Sequence, residues 1–183
     1  MAEFQSAYDK TNKREGMVLS NVPTDRGGMT FGGISRVHNP WWNGWPLIDA
    51  GDRGSAQLLK LHHEFYLKEF WTPIRGDEIN DQEMAEKIYD AAVNCGVHRA
   101  VQWAQHATNL VLTGMNQLVD GRVGPTTLRR LNTGVTQKRR WLWFQVFETQ
   151  QEHHYVSLAL RDPTQKANLL GWYSHRIFHR KDS

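Results

Sequence analysis

The sequence predicts a mainly α fold: a helical body carrying one small glycine-rich loop or hairpin region where the chemistry sits. Three observations lead there. Apolar residues recur at helical spacing through most of the chain. Residues 16–54 break that pattern with paired glycines and with Pro23, Pro40 and Pro46. The single cysteine, Cys95, excludes an intrachain disulfide scaffold, so 183 residues at 39% apolar content must be held by a packed core.

Taken in order, Phe4, Ala7, Tyr8 and Thr11 lie on one face of an opening helix that Gly16 stops just after Glu15. The next stretch reads as loop with a small hairpin and contains the cluster Trp41, Trp42 and Trp45. A broad apolar stripe from Ser55 to Phe70, with Leu58, Leu61, His62 and Phe65, predicts a helix ending before Thr72-Pro73. Asp81 caps a helix running to Val93, with Gly96 just past its end. Ala100, Trp103, Ala104, Ala107 and Val111 predict a helix over 99–111. Asp120-Gly121 reads as a tight turn and Pro125 opens a short helix to Leu131. A long helix over 136–161 and a last one over 165–178 complete the chain, with no repeat or low-complexity tract.

Twenty-two Lys and Arg against nineteen Asp and Glu give a net charge of +3, which suits an anionic polymer without choosing between nucleic acid and cell wall. No apolar run approaches the length of a membrane span, and Met1–Gln5 has neither a basic n-region nor an apolar h-region. The expectation is a soluble protein without a signal peptide, held in the cytoplasm until another route releases it.

Within the irregular region, Glu15-Gly16 is followed by Asp25, Gly27-Gly28, Thr30 and Gly32-Gly33. A carboxyl at a helix C-terminus meets the negative end of the helix dipole, which raises its pKa and keeps a proton available for a leaving oxygen. Asp25, on an open glycine-rich loop, stays ionised and can orient a water or stabilise positive charge, while the Thr30 hydroxyl holds that water. Two carboxyls in unlike surroundings are what glycosidic cleavage through an oxocarbenium-like transition state needs. The glycines let a sugar chain approach the backbone. The indoles of Trp41, Trp42 and Trp45 fit either sugar stacking or core packing.

Other signals carry less. His63-Glu64 begins a zinc-protease motif, but Leu67 stands where the second ligand belongs. His175 and His179 sit four apart in a basic tail that reads as a solvated end, and Cys95 with His98 reads as a small buried thiol. No cofactor or metal is expected. Lys138-Arg139-Arg140 with Trp141 and Trp143 would suit a nucleic-acid strand, yet a helix packing its aromatics inward explains the same residues.

The run Glu15-Gly16, Asp25-Arg26-Gly27-Gly28-Met29-Thr30 and Gly33-Ile34 resembles the signature of glycoside hydrolase family 108, the muramidases found as phage endolysins and secretion activator proteins. Phe70-Trp71-Thr72-Pro73-Ile74-Arg75 resembles the family's tyrosine-tryptophan-x-proline segment. Ala91–Gly96 with Arg99-Ala100 resembles its aspartate-x-alanine-valine-asparagine-serine-glycine segment, and Asp120–Leu128 its peptidoglycan-binding motif. The order of Glu, Asp and Thr also looks like the triad of phage-type lysozymes. Four positions depart from the family pattern: Met17 replaces a glycine, Phe31 and Gly32 replace an asparagine and a tyrosine, and Cys95 replaces a serine.

The resemblance implies an α+β lysozyme-like fold with a catalytic region over 1–84 and a peptidoglycan-binding-like region over 85–183 packed on the same core. It implies hydrolysis of the β-1,4 bond between N-acetylmuramic acid and N-acetylglucosamine, with Glu15 as acid, supported by Asp25 and Thr30. Gly28, Phe31, Trp41, Trp42, Trp45 and Asn94 are the candidate substrate contacts. The expected partners are bacterial peptidoglycan and a holin for release, with no nucleic acid, no stable membrane insertion and a monomeric state. Two other readings are a silent wall-binding or secretion-associated module, against which Glu15 speaks, and a lytic transglycosylase, against which Asp25 and Thr30 speak.

Overall fold

A computed structural model describes residues 1–15, 17–21 and 28–177 of the chain, apart from the side chains of 12–15, 21, 175 and 176. It confirms a mainly helical fold, with eight α-helices and one three-stranded sheet among the described residues. The chain forms two compact units, Phe4–Thr72 and Met1–Glu3 with Pro73–Ser183.

The first unit opens with α1 (Phe4–Glu15), whose Phe4, Ala7, Tyr8 and Thr11 are buried as the helical spacing requires. Then come β1 (Leu19–Asn21), β2 (Met29–Phe31) and β3 (Ile34–Ser35), an antiparallel sheet in the order β1-β2-β3. Gly32 and Gly33 join β2 to β3 with φ of +52° and +82° while Phe31 pairs with Ile34. Two successive positive φ values make a type I′ turn, whose twist matches the strands and which glycine adopts without strain.

The aromatic stretch that reads as loop forms a short helix, α2 (Trp45–Asp49), with Pro46 in its first turn. Five residues are too few for a periodic signal. Helix α3 (Ala56–Tyr66) starts at Ser55, whose hydroxyl accepts from the Leu58 amide at 3.1 Å, and continues as a π-helical turn through Trp71. Trp71 is fully buried and lies 5.6 Å from the Phe4 ring.

The second unit is built on α4 (Gln82–Cys95), α5 (Val97–Val111) and α7 (Gln137–Arg161). The Asp81 carboxylate caps α4 at the Met84 amide, and Gly96 at φ +87° is the single residue between α4 and α5, which therefore starts two residues earlier than its apolar pattern shows. Trp103, Trp143, Phe144 and Phe147 form the core with the alanines of α4 and α5. Within it the Lys87 ammonium lies 3.2 Å from the Glu148 carboxylate, their side chains 1% and 6% exposed. Helices α6 (Pro125–Arg129) and α8 (Lys166–Arg176) complete the unit. No helix among the described residues is long and apolar enough to cross a membrane.

Candidate active site

Three strands position the candidate site in the first unit. The register pairs Ser20 with Thr30 and Thr30 with Ser35, so a row of three hydroxyl residues crosses the sheet on one face. Ser20 Oγ and Thr30 Oγ1 are 2.6 Å apart, and Ser35 Oγ accepts from the His38 amide at 3.3 Å. Thr30 is half-buried. Its neighbour Phe31 points to the other face and is fully buried, as strand alternation demands.

Glu15 is the last residue of α1, at the negative end of that helix, and β1 begins four residues further on. A span of four residues reaches at most about 14 Å. The Glu15 side chain lies outside what the structure describes. Asp25 does too, on the segment joining Asn21 to Met29, two residues paired across β1 and β2.

The turn is fastened from beneath. The Gly32 carbonyl accepts from Tyr66 Oη at 2.8 Å and from His62 Nε2 at 2.9 Å, while His62 Nδ1 lies 2.9 Å from Tyr8 Oη. A carbonyl only accepts, so Nε2 carries the proton and Nδ1 of the neutral ring accepts the hydrogen bond that the Tyr8 hydroxyl donates. Burial favours that neutral form and lowers the His62 pKa from 6.5 to about 4, against the opposing pull of the Gly32 carbonyl. One imidazole thereby ties α1 to the β2–β3 turn. Sequence reasoning placed His62 on a core stripe but missed this link, as it did Ser20 and Ser35; only the register reveals them.

Two of the departures from the family pattern, Met17 and Gly32, meet here. A Cβ on Gly32 would stand 2.4 Å from His62 Nε2 and 3.1 Å from Met17 Sδ. Bulk that a side chain at 32 would occupy is already taken by His62 and Met17, so Gly32 is a packing requirement of this chain.

The expected substrate contacts divide. Phe31, Trp42 and Trp45 are 0%, 4% and 2% exposed and are core residues in this structure: Phe31 stacks on Trp42, and Trp45 Nε1 donates to the Asn39 carbonyl. Their burial satisfies the apolar area, and the Trp42 and Trp45 indole N–H groups donate to backbone carbonyls, so Phe31, Trp42 and Trp45 pack in the core rather than face a sugar. Trp41 keeps 54% of its surface exposed, with its ring 5.8 Å from Phe65 and the Lys68 ammonium 5.6 Å over it. Gly28 is half-buried at φ +59°, with Val37 3.0 Å from where a Cβ would stand. Asn94 belongs to the second unit, exposed on α4, and donates to the Asp90 carbonyl.

In the second unit the Asp120–Pro125 segment is a folded turn. Gly121 takes φ +69°, the Asp120 carboxylate accepts from the Arg122 amide at 2.9 Å, and the buried Gln105 amide bridges the turn. Gln105 donates to the Asp120 carboxylate and the Arg122 carbonyl and accepts from the Gly121 amide. These bonds hold the Asp120 carboxyl below its ordinary pKa, Gln105 first. Arg140 of the basic run forks onto Asp81 and reaches Glu83, Arg139 donates to the Val111 carbonyl, and Trp143 is buried. Cys95 is half-buried and lies 3.8 Å from Tyr155 Oη. Among the described residues no group of three His, Cys, Asp or Glu side chains could hold a metal ion. His179 and the basic tail lie outside the described residues.

Residues 8–96 match the family Glycosyl hydrolase 108, and residues 99–177 match the Predicted Peptidoglycan domain. The chain is thus a family 108 glycoside hydrolase region followed by a peptidoglycan domain, the first ending after α4 and the second beginning in α5. The structure of Brucella abortus SagA is similar at a TM-score of 0.63 and 18% identity, covering 98% of this chain and 97% of that one. At that identity the likeness is one of fold. No curated protein matches the chain.

Proposed function

We propose that this protein is a phage-type endolysin, an N-acetylmuramidase that hydrolyses the β-1,4 bond between N-acetylmuramic acid and N-acetylglucosamine. The observation that carries the reading is the match to Glycosyl hydrolase 108 over 8–96, which includes Glu15 at the end of α1 and Thr30 on the sheet that follows. Glu15 gives its proton to the glycosidic oxygen as the bond to C1 breaks. Water then adds to C1, and its released proton restores the acid, so one water is consumed per bond.

Asp25 stabilises the positive charge developing at C1 or orients the water, and the Thr30 hydroxyl helps hold that water. Gly28 allows close backbone approach, and Trp41 keeps more than half of its surface exposed for a sugar. Release to the wall through a holin belongs to the same reading. Mass spectrometry of products from purified peptidoglycan tests it. N-acetylmuramic acid at the new reducing ends supports a muramidase, N-acetylglucosamine ends overturn it, and a 1,6-anhydro product indicates a transglycosylase.

A further inference from the structure

The second unit holds a cavity of about 510 Å³ between α5 and α7, a size suited to a small ligand. Two arginines and three histidines line it, Arg99, Arg161, His106, His153 and His154, and none of its lining residues is Asp or Glu. Elsewhere in this unit Arg140 is matched by Asp81 and Glu83, Lys87 by Glu148 and Arg75 by Glu78. The cavity wall is different. His154 has its pKa lowered by burial and then by the positive charges of Arg99, Arg161 and His153.

Arg99 is also held in place. Arg99 Nη1 donates to the Cys95 carbonyl at 3.0 Å and lies 3.3 Å from His154 Nε2, which fixes the guanidinium plane. Trp103 lies 5.6 Å from the His154 ring and packs edge-on against Phe147, forming an apolar wall. Side-chain amides and hydroxyls from Gln102, Thr149 and Ser157 complete the lining. Planar guanidinium groups recognise carboxylates bidentately, and amides and hydroxyls suit peptide bonds. A long polyphosphate strand needs an extended basic track. Here Arg99 and Arg161 line a single concavity, and the run at 138–140 spends Arg139 and Arg140 on internal partners.

We propose that this cavity binds the free carboxylates of a short peptide, the stem peptide borne by wall glycan. The proposal deepens the peptidoglycan reading above and rests on it for the source of the peptide. Titration calorimetry of the full chain with the synthetic tripeptide L-alanyl-γ-D-glutamyl-meso-diaminopimelate tests it, with the fully amidated tripeptide and inorganic phosphate as the other arms.

The expected result is saturable binding at one tripeptide per chain, weakened about tenfold by amidation and by Arg161→Gln, and lost in Ser157→Trp, which fills the cavity. Thermal unfolding of both variants verifies their fold. Arg161 is exposed, so its substitution leaves the core intact. Absent binding, equal binding of the amidated peptide, equal binding by both variants, or displacement by an equal concentration of phosphate would each overturn the proposal. A protein that cleaves glycan to muramic ends but binds no tripeptide overturns this site alone; one that binds the tripeptide but cleaves no glycan overturns the hydrolase reading alone.

Discussion

His62 makes the stability of the first unit depend on pH in a definite direction. Its folded pKa of about 4 lies below the 6.5 of an unperturbed imidazole, so the unfolded chain takes up the proton first. The stabilisation from a neutral His62 is fully present above about pH 6.5 and is lost as pH falls toward 4, a loss on the order of 3 kcal/mol. Urea unfolding at pH 7 and pH 4.5 measures it; in His62→Gln the dependence over that window should flatten, and an unchanged slope would refute the assignment. Gly32→Ala places a methyl against His62 Nε2 at a positive φ and should cost about 2 kcal/mol or more, read as a lowered unfolding midpoint at neutral pH. Thr30→Val should leave the strand in place, since valine favours strands. It should reduce hydrolysis about a hundredfold if the hydroxyl holds the attacking water; an unchanged rate would remove Thr30 from the site.

Among the elements, α4 and α7 are joined by the buried ion pair of Lys87 and Glu148. Lys87→Met leaves Glu148 as a buried charge without its ammonium partner and should destabilise the protein by about 3–5 kcal/mol. The double change Lys87→Met with Glu148→Leu should recover much of that loss. A single variant as stable as wild type would show the pair to be dispensable. The long helices were legible in the sequence because their apolar faces repeat over many turns, as with Ala100, Trp103, Ala104 and Ala107 of α5, and because Ser55, Asp81 and Gly96 mark their ends. The Asp120-Gly121 turn was legible for the same local reason. What stayed hidden depends on partners far apart in the chain. Lys87 pairs with Glu148, Gln105 with a turn fifteen residues on, and His62 with a glycine carbonyl thirty residues earlier. The helix α2 was missed because five residues carry no period, and the burial of Trp42 and Trp45 because composition cannot tell a core indole from an exposed one.

Across the molecule, two family regions follow one another, Glycosyl hydrolase 108 over 8–96 and the Predicted Peptidoglycan domain over 99–177, and the fold likeness to Brucella abortus SagA extends through both. A glycoside hydrolase with peptidoglycan as its polymer follows directly, and the motifs that resemble the family lie in both regions. The proposed division of labour puts bond cleavage at the end of α1 and on the sheet, and retention of the wall in the second unit. The most direct test of the central claim compares lysis of purified peptidoglycan by wild type and by Glu15→Gln, following turbidity and identifying the new reducing ends. Glu15→Gln keeps the size of the side chain and removes its acidic proton, so the account predicts wild-type lysis with N-acetylmuramic ends and a loss of a hundredfold or more in the variant. Equal lysis by the two proteins would contradict it.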